Sequence, residues 1–165
     1  MLELLIRNAK ILDGTGAPAF YGSVGVNDGK IVLNPPASET AARTIDAQGF
    51  YVSPGFIDAH SHGDMTYGQP FTALGKLCQG VTTQIAGQCG QSIFPVSPER
   101  MSEYRTICGL AGDKPMRGGE NFSDLAAFLA NVQDIPLALN IAMFVGHNSL
   151  RAAVMGLAQR EPSEA

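Results

Sequence analysis

No stretch of this sequence approaches the roughly 20 uninterrupted apolar residues that a membrane-spanning helix requires. The start, MLELLIRN, carries Glu3 and Arg7 where a signal peptide needs its apolar core. Both absences point to a cytoplasmic protein without a membrane partner. A basic cluster is also missing: 11 Lys+Arg stand against 15 Asp+Glu, a formal charge of −4 with a pI near 5.2. Without that electrostatic footprint, nucleic acid is not an expected partner. Cysteine is scarce, and Cys78, Cys89 and Cys108 are an odd number without framework spacing, which argues against a disulfide scaffold. No G-x-S-x-G elbow, phosphate-cradling G-x-x-x-x-G-K-[ST] or strand-preceded G-x-G-x-x-G occurs, and no tandem repeat or low-complexity tract. What the chain does have is 45% hydrophobic against 16% charged residues over 165 positions, enough for a sizeable core and far from disordered, collagenous or coiled-coil composition.

The first fifty residues read as short strands separated by turn chemistry: LLIRNAKIL, Asp13-Gly14-Thr15-Gly16, SVGV, Asn27-Asp28-Gly29 and KIVL. Asn/Asp-Gly between apolar runs is a strong hairpin signal, because such turns demand positive φ, so a small antiparallel sheet is expected. Asn34-Pro35-Pro36 breaks it, TIDA resumes an extended segment, and the boundary falls near residue 53. Beyond it the pattern becomes strand, loop, helix, Gly, strand, the rhythm of βα units on a parallel sheet. GFIDAHSH, VTTQIAG and LALNIAMFV are the expected strands. FTALGKLCQ is a helix ending at Gly80, Ser97-Pro98 opens ERMSEYRTICGLAG, Ser123 caps DLAAFLANV, and SLRAAVMGLAQR forms the third unit's helix. A closed (β/α)₈ barrel takes about 200 residues or more, which residues 54–165 do not supply. The second part is therefore either an open α/β sheet or the front of something longer.

Three strand-end motifs carry the chemistry. In Asp58-Ala59-His60-Ser61-His62, side chains two apart on a strand share a face at about 6.6 Å, so both imidazoles can converge on one ion. The bland alternative is a pair of surface histidines; the carboxyl end of a parallel strand, where α/β folds place their chemistry, favours the metal. The same parity puts Phe56 and Asp58 on the histidine face and turns Ile57, Ala59 and Ser61 toward the covering helices. Asp58 either accepts a ring N–H and fixes the tautomer or serves as a turn carboxylate, and Asp64 is a similar case. Gly87-Gln88-Cys89-Gly90-Gln91-Ser92 ends the next strand; Cys89 is either a buried cysteine serving as a small hydrophobe or a metal-ligating thiolate, and its Gly-rich polar loop favours the ligand. Cys78 and Cys108, in amphipathic helical stretches, read as packing residues. His147, in Val145-Gly146-His147-Asn148-Ser149, sits at the same level of the third strand. It reads as a helix-entry or core histidine, a ligand, or a hydrogen-bonding or acid–base group, with substrate contact preferred. Lys76 and Arg151, on predicted helices, read as solvated charges.

Ser53-Pro54-Gly55-Phe56-Ile57-Asp58-Ala59-His60-Ser61-His62 resembles the signature of the amidohydrolase superfamily. Gly80-Val81-Thr82-Thr83, Gly87-Gln88-Cys89-Gly90 and Val145-Gly146-His147-Asn148-Ser149-Leu150-Arg151 together resemble its N-acyl-D-amino-acid deacylase (D-aminoacylase) branch. The resemblance implies an α/β fold: a small N-terminal β-sandwich piece (1–53) followed by the first three βα units of an incomplete (β/α)₈ barrel (54–165). It implies zinc as cofactor, His60 and His62 as ligands of one metal position, and Cys89 as a ligand able to bridge two. The activity it implies is hydrolysis of the amide of an N-acyl-D-amino acid, a small-molecule substrate, to a carboxylate and a D-amino acid. Further histidines and the catalytic Asp come from later barrel strands in that family, so the catalytic Asp is expected beyond residue 165, and these residues alone are expected to be inactive. Family members commonly carry Asn-Cys-Gly where this chain has Gln88-Cys89-Gly90, and Gly-Thr where it has Asn148-Ser149, departures that bear on substrate preference more than on reaction type. The competing expectations are a cyclic-amide or imide amidohydrolase of dihydropyrimidinase or dihydroorotase type, with no job for Cys89, a non-enzymatic relative without metal, and a complete binding module.

Overall fold

The computed structural model describes residues 1–66, 73–108 and 122–164. The chain divides into two compact units, Met1–Pro54 and Gly55–Ala165.

The first unit is one five-stranded sheet. Its centre is β1 (Leu2–Ile11), and β2 (Phe20–Asn27), β3 (Lys30–Leu33), β4 (Ala41–Asp46) and β5 (Tyr51–Val52) are arranged around it in the order β3-β2-β1-β4, with β5 also on β1. β2 and β3 form the expected hairpin: Asp28 and Gly29 take φ of 49° and 67°, the two positive values of a twist-matched two-residue turn. The expected antiparallel arrangement holds for β1, β2 and β3, and the sheet as a whole is mixed, because β4 and β5 both pair with β1 in parallel. The chain around Pro35-Pro36 crosses to the far side of β1 instead of turning back beside β3, and a parallel neighbour needs such a crossover. Between Ile6 and Ala9 one extra residue of β1 faces β2, and Asn8 takes φ 56°. At that bulge the second edge of β1 changes partners: the Ala47 and Gly49 N–H groups donate to the Arg7 and Asn8 carbonyls at 2.8 and 2.7 Å, and β5 takes over from β4. Ala9, Ile11, Val24 and Ala47 form the core, flanked by Ile6, Phe20 and Val52.

The second unit holds a parallel three-stranded sheet, β6 (Phe56–Asp58), β7 (Val81–Ala86) and β8 (Asn140–Met143), in that order. The strands follow the expected segments, but β6 and β8 are shorter: β6 stops at Asp58, before either histidine. Helix α1 (Leu74–Leu77) lies between β6 and β7, α2 (Met101–Ile107) and α3 (Leu125–Val132) lie between β7 and β8, and α4 (His147–Met155) follows β8. Gly80, at φ 82°, closes the turn after α1 as expected, while Phe71 and Thr72 of that expected helix lie outside the described residues. A 3₁₀ turn at Pro98–Arg100, with Pro98 at its first position, leads into α2, and the expected continuation through 109–112 also lies outside them. The cap of α3 is Asp124 rather than Ser123: its carboxylate accepts the Ala127 N–H at 2.8 Å, and the Ser123 hydroxyl donates to that carboxylate at 3.1 Å. An ionised acceptor suits the positive end of a helix better than a hydroxyl one residue too early.

The core of this unit joins Ile93, Phe94 and Val96 from the segment after β7 to Tyr104, Phe122, Phe128, Val132 and Ala152. Phe128 packs its ring 5.6 Å from Phe94 and 5.5 Å, edge-on, from Phe122, separations at which aromatic rings attract beyond their area burial. Cys108 packs against this cluster as expected, but Cys78 is exposed, because the four-residue α1 buries none of its residues. Among the described residues no helix is long and apolar enough to cross a membrane.

Candidate metal centre

After Asp58 the chain leaves the sheet yet stays tied to β7. The Ser61 N–H donates to the Ile85 carbonyl at 3.0 Å, and the Gln88 side chain donates to the Ala59 carbonyl at 3.1 Å. Side chains still alternate: Ser61 is buried, whereas His60 and His62 are exposed with ring centroids 6.1 Å apart and planes at 66°. Cys89 reaches them from the turn after β7. Gly87, Cys89 and Gly90 take φ of 76°, 54° and 75°. Gly87 must be glycine for a second reason, since a Cβ there would lie 2.1 Å from the Phe144 carbonyl oxygen. Cys89 holds a left-handed conformation that costs a non-glycine residue roughly 1–3 kcal/mol, and such strain concentrates at functional sites.

The result is a three-donor group. His60 Nε2 lies 3.2 Å from Cys89 Sγ, and one ligand atom from each of His60, His62 and Cys89 falls within 4.8 Å of the others. Zinc bonds of about 2.0–2.1 Å to nitrogen and 2.3 Å to sulfur place tetrahedral ligands roughly 3.4–3.7 Å apart. Two imidazoles and one thiol at this spacing, all exposed, therefore fit a zinc ion by donor type and separation, with room left for other ligands.

The other expected site residues behave differently. Asp58 does not accept a ring N–H. Its Oδ2 is 2.8 Å from Lys76 Nζ, and its Oδ1 accepts the His60 backbone N–H at 3.2 Å. The Lys76 hydrogen bond holds the Asp58 carboxyl below the usual carboxylate range. Lys76 is accordingly not a solvated charge; it also donates to Ser61 Oγ at 2.6 Å and Gln84 Oε1 at 2.7 Å. Asp64 is fully buried: Oδ2 accepts the Ile93 N–H at 3.0 Å, and Oδ1 has no hydrogen-bond partner among the described residues. Burial pushes its carboxyl up, opposed mainly by the Ile93 N–H and less by His62. His147 is the first residue of α4, exposed, and outside the three-donor group, so the helix-entry reading describes its position. Arg151 is likewise engaged, donating to the Ala158 and Arg160 carbonyls at 2.8 Å each.

A buried polar knot between two of the sequence motifs, its pairings not signalled by either, joins the Cys89 turn to α4. The Ser92 N–H donates to Ser149 Oγ at 2.9 Å, Ser149 Oγ donates back to the Ser92 carbonyl at 2.9 Å, and Tyr104 donates to that carbonyl at 2.7 Å. Ser92 Oγ accepts the Gly146 N–H at 2.8 Å and donates to the Phe94 carbonyl. The Asn148 and Ser149 N–H groups, unpaired in any helix start, donate to the Gly90 carbonyl at 2.8 and 3.2 Å, so the residue after Cys89 docks on the beginning of α4.

A parallel α/β sheet with two histidines beyond one strand and a cysteine beyond its neighbour defines an α/β protein with a candidate metal centre of nitrogen and sulfur donors. The chain belongs to the amidohydrolase family, whose profile matches residues 43–155. It is 35% identical over 164 residues to the N-acyl-D-aspartate deacylase of Alcaligenes xylosoxydans xylosoxydans and 32% identical over 163 residues to that organism's D-aminoacylase. Those alignments cover 99% and 98% of this chain and 32% of each relative. Among solved structures it resembles N-acyl-D-glutamate deacylase from Bordetella bronchiseptica, complexed with zinc and a phosphonate that mimics the tetrahedral intermediate. Identity there is 33% and the TM-score 0.82, over 98% of this chain and 33% of that one. A D-aminoacylase with a binuclear metal centre matches at 33% identity and a TM-score of 0.80, over 99% of this chain and 33% of that one. The chain thus spans about a third of the length of the relatives it matches.

Proposed function

We propose that this chain contributes the first part of a zinc-dependent hydrolase of N-acyl-D-amino acids, with residues 1–53 belonging to a small β-sandwich and residues 54–165 to the first three βα units of a (β/α)₈ barrel. The observation that carries the reading is the convergence of His60, His62 and Cys89 at strand ends. Support comes from relatives at 32–35% identity whose names are those of N-acyl-D-amino-acid deacylases.

His60 and His62, as neutral imidazoles, and Cys89, as thiolate, would hold the metal. Bound zinc supplies a water of lowered pKa, about 7, and polarises an amide carbonyl. His147 is assigned to hydrogen-bond the substrate, a role supported by its exposure at the start of α4, next to the Asn148 N–H that docks on the Gly90 carbonyl. Neither carboxylate near the centre is free to carry a proton to the departing amine: Asp58 is tied to Lys76, and Asp64 is buried against the Ile93 N–H. Their part is to hold the two loops, and the acid–base carboxylate is assigned to the remainder of the enzyme. The 165 residues alone should then bind metal without turnover. The test is a chimera in which this chain replaces the matching first third of the Bordetella deacylase. D-glutamate release from N-acyl-D-glutamate, lost on Cys89→Ala, is the expected result; a folded, zinc-loaded chimera releasing no D-amino acid would refute the reading.

A further inference from the structure

Lys76 stands apart from every role assigned above, yet three oxygens crowd its ammonium: Asp58 Oδ2 at 2.8 Å, Ser61 Oγ at 2.6 Å and Gln84 Oε1 at 2.7 Å. An ammonium has three donors, so this arrangement uses all of them. The acceptors bracket the histidine segment. Asp58 precedes His60 and accepts its backbone N–H through the other carboxylate oxygen. Ser61 lies between the two histidines, points to the opposite side, donates to Gln84 Oε1 at 3.0 Å and accepts the Gly63 N–H at 3.0 Å. Gln84 belongs to β7, the strand that leads to Cys89. The Gln84 amide packs directly on the Gly63 backbone, where an added Cβ would lie 2.1 Å from Gln84 Oε1 and force that side chain to move.

We infer that Lys76 is a positioning residue for the metal centre: one ammonium behind the loop clamps Asp58, Ser61 and Gln84, and so fixes how His60 and His62 face Cys89. The inference rests on the metal-centre reading. The Lys76 and Asp58 side chains are 28% and 29% exposed. An ion pair so open to solvent adds little to global stability, so its loss should be felt in ligand placement more than in unfolding. Groups that orient ligands from behind typically change metal affinity by about 10–100-fold, and Lys76, acting through Asp58 and Ser61, belongs at the lower end.

The test is cobalt titration of the chain and of Lys76→Met, Lys76→Arg and Ser61→Ala, followed by the thiolate-to-cobalt absorption band, with thermal unfolding by far-ultraviolet circular dichroism alongside. Lys76→Met should weaken cobalt binding about tenfold and alter the band with little change in the unfolding midpoint. Lys76→Arg, which keeps the charge but cannot bring one nitrogen to three oxygens, should recover part of the loss. A wild-type band with Lys76→Met binding equally tightly and giving the same spectrum overturns the role of Lys76 and leaves the metal centre standing. No band in the wild type overturns both. If Lys76→Met does not fold, the other two variants decide: weakened binding in both supports the clamp, and wild-type affinity in either one overturns it.

Discussion

Replacing Ser149 by alanine probes the join between the Cys89 turn and α4. Ser149 Oγ is the acceptor for the Ser92 N–H and a donor to the Ser92 carbonyl, and both serines are fully buried. The carbonyl keeps its second partner, Tyr104 at 2.7 Å, so the damage falls on one buried N–H left without an acceptor. An unsatisfied buried donor costs about 1–3 kcal/mol, and with no compensating contact the expected loss is about 2 kcal/mol. Tryptophan is absent from the sequence, so urea unfolding is best followed by far-ultraviolet circular dichroism. With an m-value of about 1.5 kcal/mol/M, the midpoint should fall by roughly 1.3 M. Ser149→Thr retains the oxygen and should lose clearly less, although its extra methyl has to fit a site without exposure. A loss below about 0.5 kcal/mol in Ser149→Ala would show that the Ser92 N–H finds another acceptor and would refute the argument.

Gly146→Ala should destabilise the second unit by about 1–3 kcal/mol in the same assay, since its Cβ would meet the Gly90 carbonyl oxygen at 2.5 Å and backbone cannot swing aside. Phe128→Ala, which empties a fully buried ring site between Phe94 and Phe122, should cost about 3–5 kcal/mol. At pH 7 Asp124→Ala should lower the unfolding midpoint and Ser123→Ala should barely move it, the reverse of what a Ser123 cap requires. The Ala127 N–H holds the Asp124 carboxyl below its ordinary value. Its stabilisation is therefore present above the unfolded-state value of about 3.9 and lost as the pH falls through the lower folded-state value, so wild type and Asp124→Ala should converge in acid.

The α/β pattern was legible because each βα unit is announced locally, by an apolar run, a glycine at the helix end and a new apolar run. Gly80, with φ 82°, is such a signal, and so is the Asp28-Gly29 hairpin turn. The direction of β4 and β5 was not legible, since TIDA pairs equally well either way and only the crossover near Pro35-Pro36 decides. Strand ends were overrun for the same reason: alternation continues through His60-Ser61-His62 after the ladder has stopped at Asp58. Proximity of His60, His62 and Cys89 followed from placing all three at the same level of adjacent strands, which is topology rather than contact. The roles of Lys76, Gln84, Ser92 and Ser149 were missed because the contacts that define them, Lys76 to Gln84 and Ser92 to Ser149, join residues 8 and 57 apart in sequence, and their types are common on solvated surfaces. One clue was available for Ser61: a small polar residue between two converging ligands must face the other way, and a buried hydroxyl there needs a partner.

The most direct measurement is X-ray absorption fine structure on the chain loaded with one equivalent of zinc. Joint coordination by His60, His62 and Cys89 predicts one sulfur scatterer at about 2.3 Å and imidazole nitrogens at about 2.0–2.1 Å, with the sulfur lost in Cys89→Ser and retained in Cys78→Ser and Cys108→Ser. A first shell of nitrogen and oxygen alone in the wild type, or a sulfur that survives Cys89→Ser, would contradict it.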